Sequence, residues 1–158
     1  MANQVKIADE VWLAAAILHR RHPDRADFAI DEIMAEAESA DVTGMPLRPG
    51  VKDHVYQHCV ANKAPSAGRY RMLYETSSGR RRLFRPGDTC HPGRANGKDV
   101  PARDAVPMEY RDLIDWYHVE FSGESGRADD PVLALRGLGN EVWENEGADE
   151  YVRRQRAD

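Results

Sequence analysis

Between Ala8 and Arg21 apolar side chains return every three to four residues, at Val11, Trp12, Ala15 and Leu18. That spacing predicts a helix opening near Asp9, a candidate cap, and stopping at His22-Pro23. Asp27 to Ile30 reads as a short extended piece, after which Asp31 is placed to cap a second helix from Glu32 to about Ala40, with Ile33, Ala37 and Ala40 along one side. Gly44, Pro46 and Pro49 interrupt the chain. Pro49 suits the first turn of a third helix running through VKDHVYQHCVAN, where Val51, Val55 and Cys59 at i, i+4 and i+8 face a core. Beyond the Pro65–Gly68 break, Tyr70–Glu75 and Arg81–Arg85 read as strands joined by Ser77-Ser78-Gly79 as a hairpin loop. Residues 86–106, with three prolines and three glycines, predict irregular but packed chain. A fourth helix is expected from Pro107 to about Phe121, its apolar side made by Tyr110, Leu113, Ile114 and Tyr117 and docked on the hairpin or on a second copy of the chain.

Helix, short strand, helix, helix, hairpin is the order of a winged helix-turn-helix, in which the third helix crosses the second and the hairpin closes the core while projecting its loop sideways. The expected fold class is therefore α+β, mainly α: a winged helix over residues 1–121 with an added C-terminal helix. A polar, glycine-bearing linker (122–130) separates it from an amphipathic helical tail (131–158). Val132, Leu133, Leu135, Leu138, Val142, Trp143 and Tyr151 are too many large apolar groups for a free tail, so they call for a partner surface on this molecule, on a dimer mate or on another protein.

Length and composition fit this picture. With 158 residues and 41% hydrophobic content, one modest core is expected. No apolar run approaches the roughly 20 residues that span a bilayer, and MANQVKIADE lacks the basic-then-apolar order of a secretory signal, so a cytoplasmic protein with no membrane contact is expected. Cys59 and Cys90 are then expected as free thiols.

Charge changes the picture more. The net charge of −5 is unevenly spread: residues 1–47 carry four Lys/Arg against nine Asp/Glu, 48–94 ten against three, and 95–158 eight against fifteen. A basic island thus lies between acidic flanks, and phosphate attraction follows the local field rather than the total. In a winged helix the exposed side of the third helix enters the major groove and the wing meets phosphate or the minor groove. Lys52, Tyr56 and Gln57, opposite the apolar stripe, are the candidates for base-edge reading, and Arg48 and Lys63 at the two ends are candidates for phosphate contact. Arg80, Arg81 and Arg82 flank the hairpin turn, where three guanidinium groups repel one another unless anions are near. Strand alternation puts Arg81 and Leu83 on one face and Arg82 and Phe84 on the other, so one of the arginines has a structural role open to it.

Catalytic and metal chemistry find less support. His54, His58, Cys59, Cys90 and His91 supply zinc-ligand types, but their spacing matches no common finger and no CxxC or HExxH occurs. The island's acids, Asp53, Glu75 and Asp88, form no tight carboxylate pair for a divalent cation, and no Walker loop, dinucleotide fingerprint or nucleophile elbow is present. No enzyme activity, metal or cofactor is expected.

The stretch RPGVKDHVYQHCVANKAPSAGRYRMLYETSSGRRRLFRPGD, with the later HPGR, GKDVP and LIDWY segments, resembles an uncharacterised bacterial winged-helix family over residues from about 10 to 120, which implies a DNA-binding fold. The tail DPVLALRGLGNEVWENEGADEYVRRQR is similar to the C-terminal tails of bacterial antitoxins that pair with PIN-domain ribonuclease toxins. That second resemblance implies Leu133, Leu135, Leu138, Trp143 and Tyr151 as anchors in a toxin groove and Arg136, ahead of Arg153 and Arg154, as the side chain entering an acidic active site. The antitoxin DNA-binding domain is usually a smaller ribbon or swapped hairpin, which is a departure. Together these readings lead to an antitoxin-like transcriptional regulator that binds double-stranded DNA, as a homodimer where its site is paired, and a partner protein through its tail. Two alternatives stand beside it: a winged helix used for protein contacts, and an accessory DNA-targeting module of a restriction or nucleic-acid-processing system.

Overall fold

The structure, a computed structural model, describes residues 4–66 and 68–122. Apart from Ser122, the linker and the tail, with Leu133, Leu135, Arg136, Leu138, Trp143 and Tyr151, lie outside the described residues. Within them the chain is α+β and mainly helical, with one small antiparallel sheet.

Helix α1 (Ile7–Arg21) is the centre of the core. Periodicity predicted one buried stripe, yet Ala8, Val11, Trp12, Leu13, Ala14, Ala15 and Ala16 are all buried, the pattern of a helix surrounded by other elements. Small alanines allow that close approach on every side. Lys6, not Asp9, occupies the N-cap, and Asp9 and Glu10 are instead buried in the first turn, each held by a cation from far along the chain: Lys98 at 3.0 Å and Arg48 at 2.6 Å. Carboxylates there also meet the positive end of the helix dipole.

Strand β1 (Phe28–Ala29) leads directly into helix α2 (Ile30–Ala40). Asp31 was expected to cap this helix but lies inside its first turn; the cap position is Ala29, whose N–H donates to the Glu32 carboxylate at 2.8 Å. Asp41, with φ of 47°, ends α2 in the left-handed region that Asp tolerates better than most residues. Ile33 and Ala37 bury their side against α1.

The third helix is shorter than its apolar stripe predicted. Helix α3 (Gly50–Asp53) widens into a π turn over His54–His58 and stops, although Val51, Val55 and Cys59 are buried as expected. Tertiary hydrogen bonds end it. The Cys59 carbonyl accepts from Met72 N (3.1 Å) and Leu73 N (2.9 Å), and Val60 forms a parallel bridge with Leu73, so the chain turns extended where a helix would need those groups.

Strands β2 (Leu73–Ser77) and β3 (Arg80–Leu83) start and end up to three residues away from their predicted bounds and form the expected hairpin, with Gly79 at φ 75° in its turn. Sheet order is β1-β3-β2, with β3 central and antiparallel to both neighbours. Residues 86–106 are irregular but packed, as expected, with short 3-10 turns at Pro92–Arg94 and Arg103–Ala105. The expected fourth helix is a 3-10 turn (Met108–Tyr110), helix α4 (Arg111–Trp116) and a π turn (Tyr117–Phe121). It docks on α1: the Tyr117 ring meets the Trp12 ring edge-on at 5.6 Å, and the Tyr117 hydroxyl donates to the Phe84 carbonyl. Among the described residues no helix is long and apolar enough to cross a membrane.

Candidate nucleic-acid interface

Burial of Val51, Val55 and Cys59 turns the opposite side of the third helical segment outward, and with it Lys52 and Tyr56. Tyr56 is 54% exposed, and the Lys63 ammonium lies 4.5 Å from its ring centroid. Gln57, half-buried, donates from Nε2 to the Ala64 carbonyl at 3.4 Å and is thereby turned along the surface. Lys63 also lies 3.3 Å from Glu75. The exposed patch therefore holds two outward side chains, Lys52 and Tyr56, a partly engaged Lys63 and a nearby acid, Asp53. Exposed Arg69, in the loop that follows, has no ion pair among the described residues.

Arg48 and the hairpin arginines are placed differently. Arg48 was expected at a phosphate and instead closes on α1, donating to Glu10 and to the Val5 carbonyl at 2.9 Å. Arg80 pairs with Asp27 at 2.6 Å, and Thr76 and Arg80 together hold that carboxylate below the usual range by hydrogen bonding. Arg82 makes a bidentate pair with Asp88 (2.7 and 2.8 Å) while stacking 4.4 Å over Tyr74, its cross-strand neighbour. Arg81 is 1% exposed: its cross-strand neighbour Glu75 lies 2.8 Å away, and Nε and Nη2 donate to the Val55 and Tyr56 carbonyls, both at 3.2 Å. Burial pulls its pKa below the usual arginine range. The anions that three adjacent guanidiniums require are thus Asp27, Glu75 and Asp88, supplied by the chain itself. Alternation along β3 correctly puts Arg81 and Leu83 on the buried face.

Arg94, which sequence reasoning passed over, is the most engaged cation of the described chain. It is fully buried and faces no carboxylate among the described residues; its guanidinium donates to the carbonyls of Lys63, His58 and Tyr70 (each 2.7 Å), Gln57 (2.8 Å), Ala64 (3.3 Å) and Gly68 (3.4 Å). Two of these, Gln57 and His58, lie at the end of the π turn, the negative end of the helix dipole. Arg94 thereby fixes where the third helical segment stops. Only the HPGR string marked it in the sequence.

Among the described residues His54 makes no hydrogen bond with a second ligand-type side chain: its Nδ1 lies 2.8 Å from the Gly50 carbonyl, and burial lowers its pKa. His58 Nδ1 lies 2.6 Å from the Ser66 hydroxyl. Cys59 is buried and Cys90 half-buried, both as free thiols. Among the described residues no three His, Cys, Asp or Glu side chains gather in a cluster able to hold a metal ion.

No family model matches the chain, and neither a curated protein nor a solved structure matches it.

Proposed function

We propose that this chain is a non-catalytic, cytosolic DNA-binding regulator of winged-helix type, with Lys52 and Tyr56 meeting the duplex and the tail engaging a partner protein in the manner of an antitoxin. The observation that carries the reading is topological. A two-residue strand between α1 and α2 joins the hairpin in the order β1-β3-β2, and this leaves the outer side of the third helical segment uncovered beside the hairpin. The hairpin arginines have a supporting role here, holding the wing in shape while Lys52, Lys63 and Arg69 supply charge.

The reading is tested by fluorescence anisotropy of the full chain on a duplex from its own upstream region at about 50 and about 200 mM salt. Binding that weakens with salt is expected. Lys52→Ala should reduce the slope of log K against log salt by about 1 and Tyr56→Ala should weaken binding, whereas Arg81→Ala should act through stability. Absence of binding at the lower salt refutes the proposal.

A second reading, a winged helix used for protein contacts, is favoured by one observation: Arg48, Arg80, Arg81 and Arg82 are all in internal ion pairs, which lowers the free positive charge of the island. Salt-insensitive capture of a protein partner without DNA binding would establish it.

A further inference from the structure

A cavity of about 170 Å³ opens between the end of α1, the loop before β1, the residues after β3 and the C-terminal π turn, on residues the DNA reading does not use. Pro23, Trp116 and Phe121 give it apolar walls, and its polar groups are His19, Arg25 and Arg85, with Glu120 at one side. His19 is 3% exposed, and its Nε2 accepts the backbone N–H of Leu83 at 3.2 Å. A backbone N–H only donates, so Nε2 carries the lone pair and the ring proton sits on Nδ1. That Nδ1–H has no acceptor among the described residues.

The two arginines differ. Arg25 is satisfied by a bidentate pair with Glu32 (2.7 and 2.9 Å), whereas Arg85 has no ion pair among the described residues. Arg85 lies 4.3 Å over the Phe121 ring and donates from Nε to the Phe121 carbonyl at 3.1 Å, with neither Nη group hydrogen-bonded among the described residues. The cavity therefore offers donors at two points, one of them fully charged, and aromatic carbon between them. Burial, reinforced by Arg85 and Arg82, lowers the His19 pKa to about 3, so at neutral pH the ring stays an uncharged donor.

We propose that this cavity binds a small aromatic monocarboxylate, with the ring against Trp116 and Phe121 and the carboxylate taken by Arg85 and the Nδ1–H of His19. Pockets for drug-sized ligands run from about 300 to 1,000 Å³, so a single ring fits here and a nucleotide does not. Glu120 disfavours a dianion such as phosphate by like-charge repulsion. The bound carboxylate would touch the imidazole whose other nitrogen holds β3.

The test is calorimetric titration of the full chain with benzoate, beside benzamide, which keeps the shape and removes the charge, and inorganic phosphate. Saturable benzoate binding is expected, with benzamide at least about tenfold weaker, since hydrogen bonds to a charged group are the stronger ones. Arg85→Gln should weaken benzoate by about tenfold and Arg25→Gln by less than about threefold. Where Arg85→Gln perturbs the circular dichroism spectrum, Arg85→Lys serves, and it too should weaken binding because it loses the fork. The ¹⁵N resonance of the His19 Nδ1–H should shift on benzoate addition. The proposal is overturned by a folded protein that shows no saturable benzoate binding, by benzamide binding equally, by displacement of benzoate by equimolar phosphate, or by unchanged affinity in the Arg85 variants.

Discussion

Replacing Arg94 by methionine isolates what one buried guanidinium does for this fold. The substitution keeps an unbranched apolar stem in the site and removes the guanidinium donors from the six carbonyls that converge there. Taking only the three bonds of 2.7 Å, to Lys63, His58 and Tyr70, and a cost of about 1–3 kcal/mol for each buried acceptor left unmet, the loss is roughly 3–9 kcal/mol. Part is offset, because the guanidinium no longer has to be desolvated, and that desolvation is what pulls its pKa below the usual arginine range. A net loss of about 4 kcal/mol remains, which for a domain of this size lowers Tm by about 15 °C. Arg94→Lys should recover less than half of it, since an ammonium has three donors and no fork. Urea denaturation followed by circular dichroism measures both. If Arg94→Met unfolds within about 1 kcal/mol of the wild type, the carbonyls find water instead and Arg94 does not hold the end of the third segment.

Other outcomes follow from the same geometry. His19 is depressed from 6.5 to about 3, so the unfolded chain binds the proton more readily; stability is complete above pH 6.5 and falls as pH drops toward 3, by up to about 1.4 kcal/mol per unit, and the pH profile of the urea midpoint should flatten in His19→Gln. Gly97→Ala should destabilise strongly, because a Cβ there would lie 1.7 Å from the Arg69 carbonyl oxygen; thermal melting checks it, and an unchanged Tm contradicts the close approach. Burial raises the Cys59 thiol pKa, so an aromatic disulfide reagent at pH 8 should label Cys90 in the native protein and reach Cys59 only after unfolding; equal labelling rates would count against the buried site.

What could be read from the sequence was whatever depends on neighbours in the chain. The stripes of α1, α2 and α4 and the Ser-Ser-Gly turn were legible because period and turn chemistry are local properties. The length of the third helix was not. Val51, Val55 and Cys59 continue a helical stripe correctly, but the stop after His58 is imposed by Met72, Leu73 and Arg94, whose hydrogen bonds reach back from 13 to 37 residues later. In the candidate interface, the exposure of Lys52 and Tyr56 followed from that stripe, whereas the fates of Arg48 and Arg80 depended on Glu10 and Asp27, 38 and 53 residues away. Glu75 opposite Arg81 was within reach of a register argument, had the hairpin turn been placed to the residue.

Those two long-range pairs bear on how binding experiments are designed. Glu10 and Asp27 lie in the first 47 residues, and Arg48 and Arg80 in the basic stretch that follows. A truncation beginning at residue 48 would discard these counter-ions along with α1 and β1, leaving the basic stretch over 48–94, ten Lys/Arg against three Asp/Glu, without two of its ion-pair partners. Such a fragment would retard any polyanion in a gel, heparin as readily as DNA, and more strongly than the parent chain. Deletion mapping would then report a minimal binding region where there is only uncompensated charge. For this protein, point substitutions in the intact chain are the informative route.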